Sequence, residues 1–169
     1  MTEQEKDFEQ MVRKHKSAIY SVCYMFAKER EETDDLFQEI LIRLWSGFAS
    51  FRADSSPGTW IYRVALNTCI SYQRKNRRRR EAVHVQIDPE FFRTEETEHS
   101  QTAQLRDRIQ RLEPIDRAIV LMWLESLPYD EIGAIAGISA KAVSVRLVRI
   151  REKLKRSSDI SRNQKKQVN

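Results

Sequence analysis

Glycine and proline are scarce in this chain, four of each in 169 residues. A fold of many short strands needs the tight turns those residues supply, so a turn-rich β architecture is excluded. Pro57, Pro89, Pro114 and Pro128 all fall at the edge of an apolar pattern or inside a polar stretch. There are only two cysteines, Cys23 and Cys69, both embedded in apolar helical patterns. A disulfide framework is excluded, and buried free thiols in a reducing compartment are expected. His15, His84 and His99 lie far apart, with no metal-ligand spacing to either cysteine. No Gly-rich phosphate loop, GxSxG elbow or paired-carboxylate constellation stands out. The first residues, MTEQEKDFEQ, are acidic and polar, unlike a signal peptide, and no apolar run approaches the ~20 residues that span a bilayer. These absences predict a cytoplasmic protein without membrane insertion, without metal or other cofactor, and without a catalytic centre.

What the chain does have is charge and helical periodicity. A third of the residues are charged while 40% are apolar, enough for compact helical cores. The net charge of +5 is unevenly spread. Residues 1–80 carry 15 Lys/Arg against 11 Asp/Glu, residues 81–104 one against six, and residues 105–169 14 against eight. Two basic blocks flank an acidic strip, a pattern compatible with nucleic acid or an anionic surface.

Phe8, Val12, Ile19, Val22, Cys23 and Phe26 recur at helical steps and predict a helix over 5–30. Thr33 is placed to cap a second helix that runs to about Trp45, with Asp34 and Asp35 in its first turn. Ser56 and Pro57 start a third, ending near Lys75. Residues 81–104, polar and acidic around Pro89, read as a flexible linker. Helices follow over 105–112, 114–126, 128–136 and 140–156, and residues 157–169 read as a disordered tail. The predicted fold is all-α, with two small helical domains, 1–80 and 105–156, on an acidic tether.

Residues 128–154, PYDEIGAIAGISAKAVSVRLVRIREKL, have helix-turn-helix logic. Gly137 permits a left-handed turn, Ile138 plugs the angle, and Ser139 caps the next helix. Val143, Leu147, Ile150 and Leu154 fall within about 40° of one another at ~100° per residue, a buried stripe. Lys141, Val145, Val148 and Arg149 lie opposite, with Ser144 at the margin. Such a face suits the major groove, where Arg reaches guanine or phosphate and valines touch thymine methyls. The alternative is an ordinary helical hairpin with a basic face.

Residues 34–45, DDLFQEILIRLW, place Leu36, Phe37, Ile40, Leu41 and Leu44 on a core face. The other face reads Asp35, Gln38, Glu39, Ile42 and Arg43. An apolar residue ringed by acids suits a docking surface, but a solvated face with one stray Ile looks the same. In the third helix Ile61, Val64, Ala65, Thr68 and Tyr72 predict the core side. Trp60 stands at its edge beside a polar stripe of Arg63, Asn67 and Arg74. An aromatic plane beside Arg and Asn is what unpaired bases need, and the loop from Phe51 to Thr59, with Ser55, Ser56 and Gly58, can line a base pocket. The competing reading is a half-buried Trp beside a solvated basic stripe.

The stretches TDDLFQEILIRLW, FRADSSPGTWIYRVALNTCISYQRK and LEPIDRAIVLMWLESLPYDEIGAIAGISAKAVSVRLVRIREKL resemble regions 2.2, 2.3–2.4 and 4 of bacterial sigma-70-family factors. With only those two domains the chain is similar to the extracytoplasmic-function (ECF) group, over roughly 8–75 and 105–155. The resemblance implies a subunit that binds core RNA polymerase and promoter DNA, is monomeric when free, and is held by an anti-sigma factor. It implies polymerase docking by Asp35, Gln38, Glu39 and Ile42. It assigns the −10 element to Phe51, Ser55, Ser56, Trp60, Arg63, Asn67 and Arg74, and the −35 element to Lys141, Ser144, Val145, Arg146, Val148 and Arg149. Ser144, Val145 and the Pro57–Gly58 pair depart from the family's usual residues, so the DNA sequences read do not follow from it. Two other classes remain: a dimeric helix-turn-helix regulator on a palindromic site, and a nucleic-acid-processing enzyme, for which no acid/base or metal cluster is found.

Overall fold

Thr2 starts the first helix with a capping box. Its hydroxyl accepts from the Glu5 amide at 3.3 Å, and the Glu5 carboxylate accepts from the Thr2 amide at 2.7 Å. A computed structural model describes the backbone of residues 1–83 and 101–167 and the side chains of 1–79 and 101–157. The described residues form seven helices and no strand. Helix α1 spans Glu3–Phe26, α2 Arg30–Phe48 and α3 Pro57–Val83; α4 spans Gln101–Gln110, α5 Pro114–Leu124, α6 Tyr129–Ala136 and α7 Ala140–Gln167. The all-α expectation and the order of elements hold.

Several boundaries are corrected. Thr33 is not the cap of α2. It lies inside the helix, buried, its hydroxyl donating to the Glu29 carbonyl at 3.1 Å, because the helix already starts at Arg30 with Glu31 and Glu32 as first-turn acids, three residues before Asp34 and Asp35. Ser56 does cap α3, accepting from the Thr59 amide at 3.2 Å. That helix runs past Lys75 to Val83, since arginine is a good helix former and nothing in the run breaks it. The expected linker therefore starts and ends in helix, and its residues 84–100 lie outside the described residues. The segment 157–167 is helical as the end of α7, where a disordered tail was expected. It holds no Gly or Pro to stop the helix, and its late lysines suit a helix C-terminus.

Helices α1–α3 bury Ile19, Val22, Cys23, Phe26, Leu36, Ile40, Leu44, Ile61, Ala65 and Cys69. Helices α4–α7 bury Ile109, Ile119, Met122, Ile132, Val143, Leu147 and Ile150. The two sets are parts of one continuous core, and α3 packs on both α5 and α6. The buried arc of α3 is accordingly wider than its predicted stripe. It takes in Tyr62 and Leu66, while Val64 and Tyr72 are only half-buried.

The second bundle also completes α1. That helix ends without a basic residue in its last turn, and its terminal carbonyls need donors. Arg106 of α4 donates to the carbonyls of Tyr24 and Ala27 at 2.7 and 3.2 Å, and Gln110 donates to Ala27 at 2.9 Å. The Arg106 guanidinium lies 3.7 Å from the Tyr24 ring centroid. Buried Arg117 of α5 donates to the carbonyls of Gln110 and Leu112 and stands 5.0 Å from the Phe26 ring. Burial lowers its pKa from the ordinary guanidinium value.

Candidate nucleic-acid and polymerase interfaces

The turn between α6 and α7 is built from two glycines. Gly137 sits in the left-handed region at φ 75°, the conformation Gly accepts without strain. The amides of Gly137 and Ile138 both donate to the Gly133 carbonyl, at 2.8 and 3.0 Å. A Cβ on Gly133 would stand 2.5 Å from the Ile138 carbonyl oxygen, so this position has no room for a side chain. The sequence pattern pointed to Gly137 and missed Gly133, whose need comes from a contact with the next helix. Ser139 then caps α7, accepting from the Ala142 amide at 3.1 Å.

On α7 the stripe Val143, Leu147 and Ile150 is buried, and Leu154 packs on it partly buried. The opposite side is open: Val145 is 45% and Val148 55% exposed, and Lys141 and Arg149 are exposed with them. Ser139, Lys141, Ala142, Val145, Arg146 and Arg149 line a shallow hollow on this side. Ser144 is half-buried. Arg146 is turned toward α5, its guanidinium 2.7 Å from the Asp116 carboxylate, with the Lys153 ammonium 3.7 Å from the same group. Of the six expected −35 residues, Arg146 is therefore the one tethered within the bundle.

On α2, Asp35, Gln38, Glu39 and Ile42 share an exposed face, and Ile42 is 61% exposed. The Glu39–Arg43 pair at 2.7 Å is solvent-exposed and contributes little to stability. Trp45 extends the apolar part of this face. It is 41% exposed, with its ring edge-on to Phe8 at 5.1 Å. Its spacing of three from Ile42 was the available signal for it.

On α3 the expected −10 residues are divided. Asn67 and Arg74 are exposed; Arg74 lies with Ser71, Lys75, Arg78 and Arg79 along a basic hollow. Ser56 is exposed and Ser55 half-buried in the preceding loop, where Ala53 adopts φ 55°. Trp60 and Phe51 are both half-buried and stack on each other at 4.8 Å, so one face of the indole is already taken. Its edge meets the open side of Gly47 on α2, 3.2 Å from where a Cβ would stand. The Pro57–Gly58 start gains a reason: the His15 imidazole of α1 lies 3.3 Å from the Cβ position of Gly58 and fills the space a side chain would need. Burial, then nearby Lys14, lowers the His15 pKa.

The first turns of α3 also meet the second bundle. Arg63 donates to the Ala134 carbonyl at 2.9 Å, the Thr59 hydroxyl to Glu131 at 3.4 Å, and the Tyr62 hydroxyl to Glu125. Burial, followed by the Glu125 hydrogen bond, pushes the Tyr62 pKa up. Thr59 and Tyr62 escaped the sequence pattern because their partners lie in the other bundle. Cys23 and Cys69 are free and buried as expected, and their mutual hydrogen bond, followed by burial, raises the Cys69 pKa. Among the described residues no cluster of three His, Cys, Asp or Glu can hold a metal ion, and no helix is long and apolar enough to cross a membrane.

Comparison with known proteins covers both bundles. Residues 11–79 match the family model Sigma-70 region 2, and residues 102–154 match Sigma-70, region 4. The RNA polymerase sigma-H factor of Pseudomonas aeruginosa is 28% identical over 159 residues, covering 86% of this chain and 82% of that protein. The ECF RNA polymerase sigma-E factor of Escherichia coli is 28% identical over 162 residues, covering 88% and 84%. Among solved structures, the sigma factor RpoE of Bartonella quintana, in complex with the anti-sigma factor NepR, shares the fold. Its TM-score is 0.73 at 21% identity, over 89% of this chain and 96% of that one. CnrH, in complex with the cytosolic domain of CnrY, gives 0.69 at 22%, over 92% and 90%. With both bundles matched in order by the family's two regions, the chain belongs to the sigma-70 family of RNA polymerase sigma factors that direct transcription initiation, in its extracytoplasmic-function group.

Proposed function

We propose that this chain is a dissociable promoter-specificity subunit that reads a −35 element with α7 and a −10 element with α3 and its preceding loop, and helps melt the latter. The observation that carries the reading is the open face of α7. A helix fixed by a buried stripe presents Lys141, Val145, Val148 and Arg149 outward behind a rigid two-glycine turn. Arg149 and Lys141 supply charge for phosphate or guanine, the two valines supply methyl contacts, and half-buried Ser144 flanks them. Arg146 orients the helix through Asp116 and lies beside the contact.

On α3, Asn67 and Arg74 offer donors to an unpaired strand, and Arg63 joins them when it leaves Ala134. The Phe51–Trp60 stack and the serines Ser55 and Ser56 form the wall of the base pocket, which opens by displacing Phe51 from the indole face. Asp35, Gln38, Glu39 and Ile42 dock on core RNA polymerase, with Trp45 enlarging the apolar centre of that patch. The protein acts in the cytoplasm, makes and breaks no bond itself, and is held inactive by an anti-sigma factor, as the two structural neighbours are captured with such a factor or with a partner's cytosolic domain.

In vitro transcription with core polymerase on a genomic library tests the reading. The wild type yields start sites absent with core alone; a chain that directs initiation at no promoter sinks it.

A further inference from the structure

We propose that Asp116 is a positioning residue for duplex recognition: it holds the Arg146 guanidinium on the protein side of the α7 hollow, so that Arg149 and the two valines set the register on DNA. This rests on the reading above that α7 enters the major groove.

Two arginines line the same hollow, Arg146 and Arg149. Arg149 is exposed and has no ion pair among the described residues. Arg146 keeps 42% of its side chain exposed, enough to meet a phosphate, yet its Nη1 is held 2.7 Å from Asp116 Oδ1. Asp116 is well placed to hold it. It lies in the first turn of α5, where the helix dipole favours an acid, and its side chain is only 12% exposed. A carboxylate so buried is costly unless paired, and each of its oxygens faces a cation of α7: Arg146 on one, and Lys153 on the other at 3.7 Å. Residues seven apart fall on nearly one line of a helix, about 10.5 Å from each other, and two long side chains can converge from there on one acid. Lys153 does not line the hollow, so Arg146 is the cation that Asp116 withholds from it.

Withholding it matters because an arginine fork binds any phosphate or guanine edge within reach. At a matched site Arg149 and the valines fix the register, and a released Arg146 takes only the phosphate which that register offers. On unrelated DNA the register is free, and the protein settles wherever its cations are best neutralised. A released Arg146 therefore strengthens unrelated sites more than the matched one, and unrelated sites far outnumber it. Asp116 gives up one phosphate contact and keeps the preference for the matched site.

The test is a double-mutant cycle in the full chain on a short random-sequence duplex, read by fluorescence anisotropy across a range of potassium chloride concentrations. Asp116→Ala tightens binding about tenfold at low salt and steepens the fall of log affinity with log salt by about 0.9, the counterion release of one phosphate contact. Arg146→Ala abolishes that gain in the Asp116→Ala chain, and in the chain that keeps Asp116 it changes binding by less than about twofold. Asp116→Asn, which keeps the shape and a neutral acceptor, moves the same way by less, and it carries the test if circular dichroism shows the alanine variant losing helix. Selectivity is then read with the holoenzyme, in competition between a promoter fragment from the library transcription above and the same fragment with its upstream element scrambled. Asp116→Ala lowers the preference severalfold, and adding Arg146→Ala restores it. Equal effects of Arg146→Ala in the two backgrounds, as net charge alone would give, an unchanged salt slope, or a preference that is not restored would each overturn the proposal. A wild-type holoenzyme indifferent to the scramble overturns the reading of α7 itself, a result separate from the cycle.

Discussion

α3 and α7 are the two longest helices, 27 and 28 residues, and each sets a polar stripe beside a buried one. They meet solvent differently. α7 is fixed by contacts inside its own bundle, and its candidate DNA face is open from Lys141 to Arg149. The first turns of α3 are covered by the other bundle, and its aromatic pocket is closed on itself by Phe51. A helix that reads duplex edges needs only a rigid exposed face, because the duplex brings its grooves ready-made. A surface that traps unpaired bases has no partner until base pairs break, and left open it would expose aromatics and cations to water and to stray polyanions. The closed α3 and the open α7 fit those two demands.

The comparison can be broken most severely at the turn that presents α7. Gly133→Val forces a side chain into the Ile138 carbonyl and costs the second bundle about 3 kcal/mol, read as a lower denaturant midpoint. Promoter contact upstream is lost with it. Next in size, Ile42→Asp weakens core polymerase binding by about 2 kcal/mol or more, as at the centre of a docking patch. Because Ile42 is 61% exposed, thermal stability stays within about 0.5 kcal/mol. This separates docking from both DNA faces.

A finer cut separates two neighbouring arginines. Arg149→Ala costs about 1–3 kcal/mol of promoter discrimination in a binding competition between matched and mismatched upstream sites. Arg146→Ala leaves that discrimination in place and instead removes a half-exposed ion pair with Asp116, lowering stability by less than about 1 kcal/mol. The smallest effect is a gain: Ser126→Gly relieves the left-handed backbone after Glu125 and raises stability by about 1 kcal/mol at most, read as a higher melting temperature.

The parts of this account that were legible in the sequence are those decided within one helix. The spacing of Val143, Leu147 and Ile150 fixed which way α7 faces, and the Leu36–Ile40–Leu44 spacing did the same for α2. Ser56 and Ser139 were readable as caps because capping is a local bond. Thr33 misled because a Thr inside a helix can bond its own i−4 carbonyl as easily as it can cap. Tyr62 lies off the Arg63–Asn67 stripe on the helical wheel, and its partner, Glu125, is 63 residues away. Periodicity carries no signal for such a pair. Gly58 was equally opaque, because its reason is a histidine on another helix.

The measurement that bears most directly on the contrast is a paired probe of one promoter complex with core polymerase, comparing Trp60→Ala with Arg149→Ala. Upstream protection is read by footprinting and unpaired thymines by permanganate. The account predicts that Trp60→Ala keeps upstream protection and loses permanganate reactivity at the −10 element, while Arg149→Ala loses upstream protection first. The same defect in both variants, or reactive thymines undiminished by Trp60→Ala, would contradict it.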